Sequence, residues 1–595
     1  MAVGGLLLVV CGLTLAAVST QYIPASLSSA AAVEAEVTQV NTIPLPSILS
    51  GVIMSADEPI EGAIVQIQGT PIQTESLENG AFSFSGIEST TPITLTAWSA
   101  GHYIGWTTVN PSAPDWTGGD DLNINLRPLA SGDNSEYEWF EFEGVEGSAS
   151  CGLCHREYDE WQADQHSRAA VNHRFLTMYT GTNMAGETGQ MVQFSGDGVP
   201  LPLDPNQPHY GPGFILDNPG RVGNCATCHT PLASTSPNTQ NCSWSGCHTS
   251  LTIERANGVI AAQPRMPQFL SGDAAEGITC EFCHKVGEVY FDPQTNLPRP
   301  DMPGILSMRL YRPDDESEQV MFGTLVDVMR DDSYLPLLSE SEFCAGCHHG
   351  VMGGVMGVGT MTGGVLIYSS YSEWLNSPYS DPETGMTCQD CHMPESSENW
   401  FVSPVRGGLT RDYIELHNHT MPGAADENLL QNAVTLETSA ERSADQIQLE
   451  VSITNDQTGH HVPTDAPIRS IILVVEALDA NGQSLELFAG PVNPVYSGDY
   501  GGLPGRTFAR VLRDNWTGEI PTAAFWRPIT IVEDTRIPAL ATDTSRYSFD
   551  APTGTEVTVN VSLIFRRAFY DLMQQKGWDD PDILMEHATI QLPAN

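Results

Sequence analysis

Twelve of the 13 cysteines in this 595-residue chain fall into pairs, and every pair is followed at once by a histidine. The sets are Cys151/Cys154/His155, Cys225/Cys228/His229, Cys242/Cys247/His248, Cys280/Cys283/His284, Cys344/Cys347/His348 and Cys388/Cys391/His392. Five read C-x-x-C-H, and the third reads C-x-x-x-x-C-H, with Ser243, Trp244, Ser245 and Gly246 between its thiols. Two thiols can add to the vinyl groups of a porphyrin while the next residue offers its imidazole to the iron, which is the attachment signature of c-type haem. Six covalently attached haem c groups are therefore expected, with these twelve cysteines holding the macrocycles and these six histidines as proximal ligands.

Other uses of cysteine fit less well. Disulfides give no reason for a histidine after every pair. With 16 histidines in 595 residues, six coincidences would have a chance on the order of one in a billion. Zinc ribbons need two pairs per metal and no adjacent histidine. Redox dithiols would not recur six times. The remaining Cys11 lies in an apolar leader, and Leu8, Val9 and Val10 before it lack the small residue that lipoprotein processing requires.

The six motifs fall between Cys151 and His392, roughly 40 residues apiece, too little chain to build a large apolar core around each macrocycle. The haems themselves must form the core, with neighbours near contact. Ten histidines remain for the opposite faces of the irons: His102, His166, His173, His209, His349, His417, His419, His460, His461 and His587. His166 lies on a helical stretch, Tyr158 to Ala170, too close to its own motif to reach round that haem, and should serve a neighbour. His417 and His419 follow the last motif and can reach back over the cluster. His460 and His461 form a loop doublet between strand-like runs. His349 directly follows a proximal histidine, and His173 and His209 are further candidates. His102 and His587 read as surface or packing residues. Met352, Met356 and Met361 could each replace a histidine, although gap filling is the commoner use of such side chains.

Around this region the pattern changes to strands. Residues 48–128 alternate apolar and polar side chains, with Asn79-Gly80 marking a tight hairpin before Phe82 and Phe84. This predicts an N-terminal β-sandwich. A mixed acidic and aromatic linker, Asp133 to Glu146, leads into a haem region over 148–434 built of helix and loop. Ile447, Leu449, Val451 and Ile453, then Ser470 to Leu478, then Val557 to Phe565, predict a second β-sandwich over 440–595, with a helical tail at Arg567 to Lys576 and a last strand at Ala588 to Leu592. The fold class is multidomain, with the haems as the core of the central part. Residues 1–33 read as an export signal or N-terminal anchor. Export to the periplasm, cell surface or extracellular space follows, with any membrane contact through that segment.

The chain carries 73 acidic and 25 basic side chains, a formal charge of −48, and only Lys285 and Lys576 are lysines. Such a surface repels phosphate backbones, which excludes nucleic acid as a partner. It suits redox proteins with basic docking surfaces.

The wording of the haem segments resembles a known group. Glu160-Trp161 and His166 after the first motif, Cys225-Ala-Thr-Cys228-His229-Thr-Pro-Leu, Gly277-Ile-Thr-Cys280-Glu-Phe-Cys283-His284-Lys285-Val286, Phe322-Gly-Thr-Leu325, Tyr371-Ser-Glu-Trp374 and Gly385-Met-Thr-Cys388-Gln-Asp-Cys391-His392-Met393-Pro394 are similar to the multihaem cytochromes grouped with the tetrahaem electron acceptor of hydroxylamine oxidoreductase. Thr458-Gly-His460-His461-Val-Pro-Thr464, Asp534-Thr-Arg-Ile-Pro538 and Leu563-Ile-Phe-Arg-Arg567 look like the β-domain attached to many members. The resemblance implies His166, His419 and His460 as distal ligands, with His461 as the alternate to His460. Gly51-Val52, Gly62-Ala-Ile-Val65 and Gly80-Ala-Phe-Ser-Phe84 resemble carboxypeptidase-regulatory-like domains, which serve as stability or adhesion modules. The chain departs from the related nitrite-reducing enzymes, because every motif ends in histidine where their catalytic haem has lysine. It also has no evident tyrosine cross-linking segment of the hydroxylamine-oxidising kind.

These readings converge on an exported hexahaem cytochrome c that relays electrons through closely packed, mostly bis-histidine haems. Two alternatives stand beside it. One is a multihaem reductase with an open haem that acts on a small nitrogen or sulfur oxyanion, with His349 or His417 as acid/base groups. The other is a protomer of a conductive cytochrome filament.

Overall fold

Strand Ala81–Ser85 shows why the first domain folds as it does: Phe82 and Phe84 turn inward while Ser83 and Ser85 face solvent, the period-2 alternation of a half-buried strand. The hairpin before it needs Gly80, whose φ is 76° and whose added Cβ would lie 2.5 Å from the Ile53 carbonyl oxygen. The computed structural model describes residues 43–594, except 115, 117, 131, 135, 136, 219–224, 236–271, 300, 301, 354, 357–360, 363, 415, 444 and 552. For 235, 273, 274, 355, 356, 361 and 362 it describes the backbone alone. The leader with Cys11 lies outside the described residues, and so does the whole third motif: Cys242, Cys247 and His248. Pro44–Asn595 forms one compact unit.

Two sheets make the N-terminal sandwich. In one, Ile48–Ser55 pairs antiparallel with Glu58–Pro59 and Ala81–Ser85, and parallel with Leu122–Asn125. In the other the order is Gln73–Glu75, Ile64–Ile67, Ile93–Trp98, Gly105–Val109. Leu49, Ile53, Val65, Phe82, Leu95 and Ile124 fill the space between them.

The C-terminal part is also a pair of four-stranded sheets. One runs Thr435–Ser443, Gln446–Thr454, Thr542–Asp550, Leu487–Ala489, and the other Gly505–Phe508, Ser470–Asp479, Val557–Arg566, Ile583–Leu592. Its first strand starts at Thr435, five residues before the expected boundary at 440. The last strand is longer than expected, because Ile583–Leu592 pairs along Val557 to Phe565 with a bulge at Met585, and the half-buried Glu586 beside the exposed His587 blurs the alternation. The tail helix is shorter, Tyr570–Lys576, because Phe569 before it is not helical, with ψ 142°.

Between the sandwiches, none of the described helices exceeds the eight residues of His173–Thr180. The expectation of helix and loop is amended here. Two-stranded ribbons also occur, among them Val286–Val289 with Met308–Leu310 and Gly350–Met352 with Val365–Tyr368. The expected helix from Tyr158 to Ala170 is split into Glu157–Ala163 and a short turn, His166–Arg168, broken where Asp164 turns extended at ψ 164°. The apolar clusters here are small, for example Leu232, Phe282, Val286, Val289 and Leu310.

Buried polar clamps fix both sandwiches to this middle. Asp327 receives the Gly69 backbone N–H at 2.9 Å and pairs with Arg411 at 2.9 Å, with both side chains almost wholly buried. Glu373 receives Arg536 Nη1 at 2.6 Å, the Thr464 hydroxyl at 2.6 Å and the His461 backbone N–H at 3.2 Å. Lys576, fully buried, donates to the carbonyls of Thr177, Thr182 and Pro212 at 2.7 to 3.2 Å.

Candidate metal centre

Residues at i, i+3 and i+4 share one face of a helix, so C-x-x-C-H folded as a helical turn puts both thiols and the imidazole on the same side. The motif helices Cys280–Lys285, Glu342–His348, Cys388–His392 and Ala226–His229 follow this rule. The first motif departs from it. Helix Ser148–Cys151 ends at its first thiol, and Cys154 sits in the turn that follows. The hydrogen bonds of a helical turn survive there, since Cys154 N–H and His155 N–H both donate to the Cys151 carbonyl, at 3.0 and 2.9 Å. The Cys154 carbonyl is taken instead by Ser403 N–H, at 3.2 Å, which draws the chain out of the helix. Thr279 caps one helix by accepting from Phe282 N–H, and Thr387 forms a capping box with Asp390 on another. This explains the Thr that precedes Cys280 and Cys388.

The motifs abut in defined pairs. The Cys280 N–H donates to Ser148 Oγ at 3.2 Å beside the first motif, and the Cys388 N–H donates to Ser341 Oγ at 2.9 Å beside the fifth. Thiol contacts follow the same pairing, Cys151 with Cys280 and Cys344 with Cys388, and add Cys228 with Cys347. In the first motif Cys151 meets a neighbouring motif. All ten described motif cysteines are free of disulfides. The expectation that Cys242 and Cys247 hold a haem, with His248 as its proximal ligand, falls outside the described residues, so the structure brings five of the six expected sites into view.

Three imidazole pairs face one another across a nearly constant gap. Ring centres are 6.3 Å apart for His166 and His348, 6.4 Å for His284 and His419, and 6.2 Å for His392 and His460. A metal–nitrogen bond of roughly 2 Å on each side, with the distance from ring nitrogen to ring centre added, spans about 6 Å. The second ring nitrogens are anchored. Nδ1 of His284, His392 and His229 donates to the carbonyls of Phe322 (2.5 Å), Pro422 (2.7 Å) and Ala169 (3.1 Å). Nδ1 of His166 and His348 donates to Asp164 (2.6 Å) and Asp465 (3.0 Å). A carbonyl or carboxylate oxygen can only accept, so Nδ1 carries the proton and Nε2 keeps its lone pair for a metal. Burial, with His284 and His155 close by, pulls His419 down to about 3, and burial beside His460 pulls His392 to about 4. Both rings are therefore neutral at physiological pH, the form that ligates iron.

Among the described residues, His, Cys, Asp and Glu nowhere gather in threes at bare-ion spacing. The donors come instead as two opposed imidazoles with two thiols beside one of them, which fits a planar macrocycle between the rings. Cys280/Cys283, Cys344/Cys347 and Cys388/Cys391 would hold it at the three paired sites.

The other candidates lie elsewhere. His461 sits 3.6 Å from Glu373, and His460 takes the facing position. His417 Nδ1 donates to the Met393 carbonyl, while His349 is buried with Nδ1 unpartnered. His173 lies 3.9 Å from Asp580, and burial lowers the pKa of His209. His155 stacks with Phe401 at 5.9 Å and His229 with Phe175 at 3.9 Å. Met352 packs among Ile367, Phe525 and their neighbours, and Met356 and Met361 have only their backbone described. Sequence reasoning missed Asp164 and Asp465. Asp164 had a local signal, its place two residues before His166, whereas Asp465 is 117 residues from His348 and had none.

No family model and no curated relative matches the chain. Among solved structures, a penta-heme cytochrome c552 from Thermochromatium tepidum is similar at 18% identity and a TM-score of 0.48, over 75% of this chain and 99% of that one. The Fcho1 Mu homology domain from Danio rerio with bound Eps15 peptide is similar at 12% identity and a TM-score of 0.12, over 23% of this chain and 39% of that one. Likenesses of this strength do not define a fold. Among the described residues no helix is long and apolar enough to cross a membrane.

Proposed function

We propose that the chain is an exported multihaem c-type cytochrome that relays electrons between redox partners, with six haems attached at the six motifs. The observation that carries this reading is the set of three opposed histidine pairs 6.2 to 6.4 Å apart, each with its proximal member in an attachment motif. Haem bound there would be held by His166 and His348, His284 and His419, or His392 and His460 and would supply one-electron chemistry. The protein's part is to hold the imidazoles, keep Nε2 free and exclude water. The thiol contacts support an order in which the first motif lies by the fourth, while the fifth lies by both the second and the sixth. The fifth is then a junction.

The reductase reading draws on His155 and His229, whose rings stack on phenylalanines. Electron paramagnetic resonance of the oxidised, haem-loaded protein, with spins counted against total haem, separates the two. Low-spin iron throughout supports the relay. A high-spin fraction of about one in six that shifts on adding nitrite or hydroxylamine overturns it in favour of turnover at that iron. Mass spectrometry of the intact protein counts the haems directly, and six are expected; five, with an unmodified peptide carrying Cys242 and Cys247, would remove Cys242, Cys247 and His248 from the attachment sites.

A further inference from the structure

Resting on the haem reading, the three facing pairs differ in what holds their rings. His284 donates to the Phe322 carbonyl, and Nδ1 of His419 has no hydrogen-bond partner. His392 donates to the Pro422 carbonyl and His460 to the His461 carbonyl, at 3.0 Å. In the third pair both rings donate to carboxylates, His166 to Asp164 Oδ1 at 2.6 Å and His348 to Asp465 Oδ2 at 3.0 Å. These carboxylates cannot swing away. The Asp164 side chain is 5% exposed and also accepts the His166 backbone N–H at 2.8 Å. Asp465 Oδ1 accepts the backbone N–H groups of Ser369 and Ser370, each at 3.1 Å.

A carboxylate pulls the Nδ1 proton harder than a neutral carbonyl does, so Nε2 becomes a stronger donor to iron. It also brings a negative charge close to the metal, where burial weakens screening, and beside Asp465 the buried Arg469 offsets only part of that charge. Both effects favour ferric over ferrous iron, and second-sphere hydrogen bonds are an established lever on haem potential. We infer that Asp164 and Asp465 make the iron held by His166 and His348 the most reducing of the three histidine-paired irons. That motif touches the His392 motif through Cys388, so an electron placed there has a downhill exit toward the iron held by His392 and His460.

The same pair carries its own spectroscopic label. Its ring planes cross at 70°, against 20° for His284/His419 and 14° for His392/His460. Near-perpendicular axial imidazoles leave two iron d orbitals almost degenerate and give a low-spin ferric signal of large gmax, whereas near-parallel ones give an ordinary rhombic signal. A potentiometric titration of the full-length, haem-loaded protein, followed by electron paramagnetic resonance, therefore reads this iron separately. The large-gmax signal is expected to be lost at the most negative potential. Asp465→Asn and Asp164→Asn, which keep an accepting oxygen and remove the charge, should each shift that loss to more positive potential and leave the rhombic signals in place. A large-gmax signal reduced together with the rhombic ones or before them, or one unmoved in both variants, overturns the inference. If Asp465→Asn fails to fold, because its carboxylate also holds Ser369 and Ser370, Asp164→Asn alone decides. Absence of every low-spin ferric signal overturns the histidine-paired ligation on which the inference rests.

Discussion

At the scale of single residues, chemistry here depends on which ring nitrogen is left free. Anchored Nδ1 atoms set the direction of the His284, His348 and His392 rings and leave Nε2 free, and His166 and His460 are held in the same way. His460→Ala should therefore convert the iron opposite His392 from low to high spin, read as a loss of about one haem's share of the low-spin signal. His461→Ala should leave the spin count unchanged, since its ring lies by Glu373. Loss of low-spin signal in His461→Ala with none in His460→Ala would reverse the assignment. Lys576 makes a second residue-scale case. Its removal in Lys576→Met strands three carbonyls that it now serves, at a cost of about 1–3 kcal/mol or more. Thermal unfolding would register this as a lower melting temperature.

At the scale of elements, short helices do the positioning, and their caps matter because so few residues support each one. Thr387→Ala removes the capping box at Cys388–His392, with an expected cost of about 1 kcal/mol. The consequence for assembly is that Cys388, Cys391 and His392 share a face less of the time before attachment. Mass spectrometry should then find a rising fraction of chains one haem short, while Thr387→Ser restores the full number. An unchanged haem number in Thr387→Ala would show that the cap plays no part in attachment.

At the scale of the whole molecule, buried charge clamps join sandwiches and centre. Burial raises the pKa of Glu373, but Arg536 and His461 outweigh it and hold the carboxyl below its ordinary 4.5. A depressed folded pKa means that the native state binds fewer protons than the unfolded chain at moderately acid pH. The stabilisation is thus fully present above about pH 4.5 and is lost as pH falls through the folded value. Acid unfolding should begin below pH 4.5. Glu373→Gln, which leaves Arg536 and Arg510 short of a partner, should cost roughly 3 kcal/mol at neutral pH and flatten that acid limb. Circular dichroism of the two proteins across pH provides the comparison. The charge of −48 acts at longer range, and binding of a basic redox partner should slow steeply as salt rises.

Covalent chemistry explains what could be read from the chain alone. Haem attachment needs its two thiols and proximal imidazole within one helical turn, so Cys280-x-x-Cys283-His284 and its kin must be contiguous and visible. Strands such as Gln446–Thr454 were legible because burial on one face imposes alternation. Distal ligands obey no such rule. An imidazole need only arrive opposite an iron, from any distance along the chain, and His460 reaches His392 from the C-terminal sandwich. His461 next to it has the same residue type and nearly the same sequence context, so only the loop's path could separate them. The 117-residue gap between His348 and Asp465 hides a second-sphere carboxylate for the same reason. Sequence alone determined which thiols and imidazole share a motif and which face of each strand is buried, because both are local. Tertiary structure alone decided which histidines face each other and what holds their rings, because those contacts exist only once distant segments meet.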